Sequence, residues 1–306
     1  MRLKNIKLSY LTCLAFLMGS TLFAQDLEPR RWTPLPAGTT IFGIGYGHTS
    51  GDVGFDPVLQ IEDTKVKRDS LIMSYTRYFA LAGKLARFDA FLPFHKAKWD
   101  GLLSGETASV QRNGLGDPRF RLSINLLGAP TSESKVSDDS KEAINTVVGA
   151  AIAVGVPLGE YFEDKLLNLG ANRYTIRPQV GVVHTRGPWS YELTGSIFFF
   201  TDNDEFFNGK KLEINPFYAA QAHIIHVFKP GVWGSLSAGY GQGGASKVNG
   251  VSRDDEREGL ISALSFGIPL APNQGLKFSY IWAKTETDTE PRSNINTFTL
   301  GWSIRF

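Results

Sequence analysis

The feature that most constrains this chain is the alternation over its final residues. Phe298, Leu300, Trp302, Ile304 and Phe306 occupy every second position, with Thr297, Thr299, Gly301, Ser303 and Arg305 between them. A β-strand turns successive side chains to opposite faces, so this stretch has one apolar and one polar face. The same pattern recurs upstream. Phe42, Ile44 and Tyr46 alternate with glycines 43, 45 and 47, and Phe88, Ala90, Leu92 and Phe94 alternate with Arg87 and Asp89. Phe120, Leu122, Ile124 and Leu126 form the fourth such run, and the eighth reads from Leu212 to Val227. In all, the pattern predicts about twelve strands, an even number.

The connections alternate in length. Tight turns are expected at Ala82-Gly83-Lys84, Arg186-Gly187-Pro188, Lys229-Pro230-Gly231 and Pro272 to Gly275. Between them fall longer polar stretches at 51–65, 96–116, 159–172, 201–211, 242–256 and 286–293. Short turns on one side and long loops on the other are the plan of an outer-membrane barrel. A Ser/Asp/Lys-rich stretch at 128–143 breaks the plan and is expected to be a solvated periplasmic excursion.

A soluble β-sandwich also alternates, but its outer face would be charged and well mixed. Here the face opposite the apolar one holds Gly, Ser, Thr, Gln and Arg, and Trp189, Trp282 and Phe306 stand near strand ends as an interfacial girdle would. No stretch after the first segment reaches the ~20 apolar residues of a spanning helix. A chain with such strands in lipid must close into a ring, because lipid cannot satisfy an open sheet edge. The expected fold is all-β: a transmembrane antiparallel up-and-down β-barrel of about twelve strands over residues 39–306.

Residues 1–24 read as a cleaved signal peptide. Arg2, Lys4 and Lys7 precede the apolar run Leu8 to Phe23, and Ala24 suits cleavage. Its removal takes three of the 32 basic residues, leaving 29 against 30 acidic ones, so the basic balance that would favour nucleic acid disappears. The single cysteine, Cys13, leaves with it, so no disulfide or thiol chemistry is expected. Residues 25–38, with Pro29, Pro34 and Pro36, read as an extended periplasmic arm, because proline cannot donate to a ladder. Trp32 on that arm is a candidate to enter the lumen from below.

Several stretches resemble a known family. They are Pro29-Arg30-Arg31-Trp32, Leu35 to Gly38, Gly51-Asp52, Phe55 to Leu59, Gly116 to Arg119, Leu126 to Pro130, and Asp164 to Gly170 with Asn172-Arg173. The chain is similar to the outer-membrane proteins named for the meta-cleavage pathway of phenol degradation, often called transporters. The resemblance runs over nearly all of the chain after residue 24. It implies an outer-membrane barrel admitting small aromatic or hydrophobic compounds, and it supplies no catalytic or binding residue. Gly301, Ile304 and Phe306 separately resemble the closing strand that the barrel insertion machinery reads.

Parity assigns an inner face bearing Arg87, Asp89, Arg119, Arg121, Arg173, Arg177, Glu192, Glu213, Lys277 and Arg305. These residues either attract anionic or polarisable aromatic solutes, by charge pairing and cation–π contact, or form an ion-pair network that plugs the pore. Tyr161, Phe162, Leu166, Leu167 and Leu169 are apolar residues in a loop that should face water, which suggests a constriction folded inward. His48 and Ser50 share a face and resemble the His-x-Ser arrangement of the outer-membrane phospholipase, but the Asn-Gly-Arg that should follow is replaced by Gly51-Asp52-Val53. His223 and His226 point to opposite faces of a strand and make a poor metal pair. No cofactor, metal or nucleic acid is expected. The expected partners are outer-membrane lipids, the insertion machinery and small solutes. The sequence reads as a passive outer-membrane channel with a narrow basic lumen, not an enzyme. The alternatives are an occluded barrel with a structural or adhesive role, or a barrel lipase.

Overall fold

The computed structural model describes residues 27–55, 61–129, 144–253, 255–287 and 293–306. The expected signal peptide and most of the 128–143 stretch lie outside the described residues. Among the described residues the strands are β1 (Thr40–Asp52), β2 (Ile61–Leu81), β3 (Lys84–Leu103), β4 (Glu106–Leu115), β5 (Arg119–Leu127), β6 (Ile144–Gly155), β7 (Thr175–Arg186), β8 (Trp189–Phe200), β9 (Asn203–Phe206), β10 (Lys210–Ile214), β11 (Phe217–Lys229), β12 (Val232–Gly243), β13 (Ser246–Val248), β14 (Val251–Ser252), β15 (Arg257–Ala271), β16 (Gln274–Thr287) and β17 (Ser293–Arg305).

The main sheet runs β2-β1-β17-β16-β15-β12-β11-β8-β7-β6-β5-β3, and β3 pairs back onto β2 to close the ring. β4 and β5 are two parts of one stave. β3 pairs with β5 over Ala86–Phe91 and with β4 over Phe94–Leu103. The break falls at Gly116-Asp117-Pro118, where proline removes a ladder donor. The barrel therefore has twelve staves, each antiparallel to its neighbours. The last one closes on the first through Thr40 N to Phe306 O (3.0 Å) and Phe306 N to Thr40 O (2.8 Å).

The surface is inverted relative to a soluble protein. Phe42, Ile44, Met73, Leu92, Leu193, Leu236, Leu264 and Leu300 are exposed, while Asp89, Arg121, Glu192, Thr194 and Ser237 are buried. Apolar residues outward and polar residues inward is what lipid outside the ring requires. Two-residue turns join β2 to β3, β7 to β8, β11 to β12 and β15 to β16 at the end that also holds Thr40 and Arg305. Gly83 (φ 71) and Gly231 (φ 79) supply the left-handed backbone that such turns need.

The opposite, outer end differs from the expected loops. The 96–116 stretch is a hairpin, not a loop, with β3 running on to Leu103 and β4 starting at Glu106. Its outward residues are polar because the hairpin stands above the apolar band, so the alternation loses its contrast there. Leu212 to Val227 is not one strand. β10 ends at Ile214, Asn215-Pro216 intervenes, and β11 starts at Phe217. β10 belongs with β9, β13 and β14 to a separate four-stranded sheet built on Phe206, Leu212 and Val248.

Candidate functional site

The inside of the ring is occupied by the N-terminal arm. Leu27 packs on Ile261, Ala263, Ile281 and Ala283, from β15 and β16. Trp32, 1% exposed, lies on the other side, over Gly149 of β6 and Gly181 of β7. Those glycines are direct cross-strand partners. A methyl group would fall 2.4 Å from the ring at Gly149 and 2.0 Å from Trp32 Nε1 at Gly181. The indole Nε1 donates to Thr194 Oγ1 at 2.8 Å, and the Arg30 amide donates to Glu192 Oε2 at 2.9 Å. The Arg30 guanidinium lies over Trp233 of β12. The arm thus touches staves around most of the ring and crosses the lumen.

Its charge is matched on the wall. Glu28 binds Arg87 Nη2 at 3.0 Å and Arg121 Nη1 at 2.8 Å. Asp89, fully buried, binds Arg87 Nε and Arg121 Nη2, each at 2.8 Å, and accepts from Thr76 Oγ1 at 2.7 Å. Two carboxylates and two guanidiniums therefore close one network between arm and wall. Burial pushes the Glu28 carboxyl up, but Arg121 and Arg87 outweigh it and hold the group well below the usual carboxylate range.

The other inner arginines sit differently. Arg177 lies 4.3 Å over the Phe198 ring, Arg173 5.3 Å over Phe200 and Arg119 4.9 Å over Phe91. Phe198 and Phe200 stack on each other, and Phe217 meets Phe198 edge-on. Sequence reasoning missed Phe91, Phe198 and Phe217 as inner-wall residues. The signal was present in Ile197-Phe198-Phe199-Phe200, where aromatics occupy both parities of a strand. Glu192 faces the arm, and Lys277 is half-buried on the inner face of β16. Glu213 does not line the lumen. It lies on β10 in the outer sheet, 3.8 Å from Lys211, because the strand it was assigned to breaks at Pro216. Arg305 is exposed at the rim of the short-turn end.

The loop between β6 and β7 reaches across the outer mouth. Leu166 and Leu167 pack against Val53, Phe55, Val66 and Ile295 near the β1, β2 and β17 staves, three to six of the twelve staves from the loop's own roots. Arg112 Nε donates to Leu167 O at 3.0 Å, and the same guanidinium lies over Phe162. Tyr161 donates to Glu205 O. Asp117 accepts from the amides of Gly159 and Ala171, pinning both ends of the loop.

His48 faces outward. Its Nδ1 is 2.8 Å from Asp69 Oδ1, which also accepts from the Tyr46 hydroxyl at 2.6 Å. An orienting carboxylate therefore stands beside His48, which the sequence did not reveal. Among the described residues no hydrogen bond joins Ser50 to His48.

Residues 45–302 match the family described as "Putative MetA-pathway of phenol degradation". The chain belongs to this family. No curated protein sequence matches it. Among solved structures, an outer membrane channel from Pseudomonas putida F1 superposes with a TM-score of 0.77 at 21% identity, covering 92% of this chain and 100% of that one. The transport unit of the autotransporter AIDA-I from Escherichia coli gives 0.47 at 10% identity, covering 94% of each chain. A Pseudomonas aeruginosa FadL homologue gives 0.40 at 7% identity, covering 88% of this chain and 90% of that one. With its apolar face turned outward, this member of the phenol-degradation family is an outer-membrane β-barrel similar to a channel.

Proposed function

We propose that this barrel is a channel for passive uptake of small aromatic or hydrophobic solutes, whose path runs along the inner arginine–phenylalanine wall and is closed by the arm. The observation that carries the reading is the stacking of Arg119, Arg173 and Arg177 on Phe91, Phe200 and Phe198. Such a wall offers a solute ring both an aromatic face and a delocalised cation. The family name and the channel from Pseudomonas putida F1 support the same reading. Arg87, Asp89 and Arg121 hold the arm instead of a solute. Passage therefore requires the arm to leave its place among them.

The test compares the chain after residue 24 with a form shortened by residues 25–37, each in planar bilayers and in vesicles supplied with benzoate. The shortened form is expected to conduct more, with a reversal potential shifted toward anions under a salt gradient, and to admit benzoate faster. Equal conductance in both forms, or a shortened form with no anion preference, would sink this reading. In that case the Glu28 network favours the second one, a permanently occluded structural barrel.

A further inference from the structure

The outward face of β1 to β4 changes character at one level. Tyr46, Leu71, Phe94 and Leu115 form a single rung across these four staves, by the registers Tyr46↔Leu71, Leu71↔Phe94 and Phe94↔Leu115. Below this rung the outward residues are apolar: Phe42, Ile44, Met73 and Leu92. Above it they are polar. The next rung is His48, Asp69, Lys96 and Asn113, followed by Ser50, Lys67, Lys98 and Gln111, and then by Asp52, Lys65, Asp100 and Ser109. On β2 the outward residues Leu71, Met73 and Tyr75 are apolar, and the next outward residue, Arg77, is exposed and pairs with Thr40 at the short-turn end. Lys65, Lys67, Lys96 and Lys98 therefore stand just above the hydrocarbon, at the long-loop end, on the lipid side of the wall.

One cross-strand pair in this arrangement is unfavourable for the barrel alone, while Asp69 faces Lys96 and Lys65 faces Asp52 and Asp100. Lys67 and Lys98 are direct cross-strand partners, and like charges so placed repel. The nearby carboxylates are already engaged: Asp100 binds Lys98 at 2.8 Å, and Asp69 is taken by Tyr46 and His48. Lys67 and Lys96 are exposed and make no close ion pair among the described residues, although Lys96 directly faces Asp69 across the strand pair. The following staves carry no such charge at the level of Lys67, where the register leads from Ser50 to Asn296, then Trp282, then Ser262. At the level of Lys67 the cations are thus gathered on one arc of the wall, directly over an apolar strip of Leu71, Phe94 and Leu115; one rung higher, Lys284 of β16 also faces outward, paired with Glu286.

We propose that this arc is a docking site for one phosphorylated glycolipid of the outer leaflet. Its phosphates would lie between Lys67, Lys96 and Lys98, and its acyl chains would run down the strip beneath. Charge complementarity and depth select this occupant. An anion tethered to acyl chains is the one partner that places negative charge at that height while covering the apolar residues below. The lipid would remove the Lys67–Lys98 repulsion and anchor the β3–β4 hairpin upright at the membrane surface.

The test is native mass spectrometry of the chain after residue 24, folded in detergent and titrated with bisphosphorylated lipid A. The unaltered protein should retain one lipid per barrel. The triple variant K67Q/K96Q/K98Q should bind about tenfold more weakly. Lys247→Gln, an exposed lysine on β13, should bind like the unaltered protein. Heat-dependent gel mobility confirms that every variant is a folded barrel. Equal binding by the triple variant overturns the proposal. So does equal retention of the dephosphorylated lipid, which would leave only a greasy wall. Displacement by millimolar inorganic phosphate alone would overturn it in favour of a free-ion site. A protein dimer lost in the triple variant would overturn it in favour of a second copy.

Discussion

Glu28 reaches Arg121 across the lumen at 2.8 Å, joining a residue of the arm to one on β5. Because Arg121 and Arg87 hold the Glu28 carboxyl low against the opposing pull of burial, its charge stabilises the docked arm wherever the unfolded group would be ionised. The contribution is present above the ordinary carboxylate pKa of about 4 and is lost as pH falls through the lower folded value. Conductance is therefore expected to stay low from neutral pH down to about 4 and to rise only in stronger acid. Glu28→Gln should conduct more at neutral pH and lose this acid step. An unchanged acid step in Glu28→Gln would assign the transition to another group.

The Gly149–Gly181 pair is a floor for the Trp32 ring. Gly181→Ala places a methyl 2.0 Å from Trp32 Nε1, and both ring and strand are too stiff to yield by that much. The expected result is expulsion of the ring and loss of its bond to Thr194, with the barrel ladder intact. Limited proteolysis should cut the arm of Gly181→Ala faster than that of the unaltered protein, while heat-dependent mobility stays the same. Combining Gly181→Ala with Trp32→Ala should add nothing further to the cleavage rate, because the clash and the contact it destroys are one event.

The barrel was legible in the sequence because lipid forces contrast. Phe42, Ile44 and Tyr46 must be apolar, so their spacing marks a strand and its face. The same logic fails above the membrane, where Lys96, Lys98 and Asp100 are as strand-like as Leu92 and Phe94 but carry no apolar signature. This is why the β3–β4 hairpin reads as a loop. Inner residues are constrained by their neighbours across the lumen, which no periodicity encodes. Arg87 and Arg121 stand out by parity, yet their common partner Glu28 sits in a proline-rich arm about 60 residues or more away in sequence. Glu213 was assigned to the lumen by extending the alternation through Pro216, where the chain leaves one sheet for the other.

Leu167 makes the outer mouth testable. With Leu166 it seats the β6–β7 loop against Val53, Phe55, Val66 and Ile295. Replacing both leucines by aspartate removes the apolar contact and sets two carboxylates against that cluster. Each would cost more to bury there than an exposed loop can recover. The loop should then detach at the far side while Asp117 still holds its roots. If the arm and the loop close the proposed path in series, uptake of an aromatic probe into vesicles should quicken most in a chain that also lacks the arm. If the loop substitution alone matches the combined form, the arm is not the tighter of the two barriers.

Phe306 tests the closure itself. Its amide and carbonyl exchange two hydrogen bonds with Thr40, and its ring meets Phe42 edge-on at 6.1 Å. Deleting it leaves Thr40 without its partner at the seam between first and last staves, at a depth where its ring is exposed to the surroundings instead of the lumen. A ring missing one seam rung still has Ile41↔Arg305 through Asp52↔Asn294. The folded barrel should therefore lose little thermal stability, by the standard of one exposed rung. If the residue also serves as the signal for assembly, the deleted chain should reach the outer membrane in much smaller amounts while refolding in detergent to nearly the same yield. Phe306→Tyr, which keeps the ring and both backbone bonds, should restore the amount in the membrane. Poor refolding of the deletion in detergent would instead trace the defect to the seam.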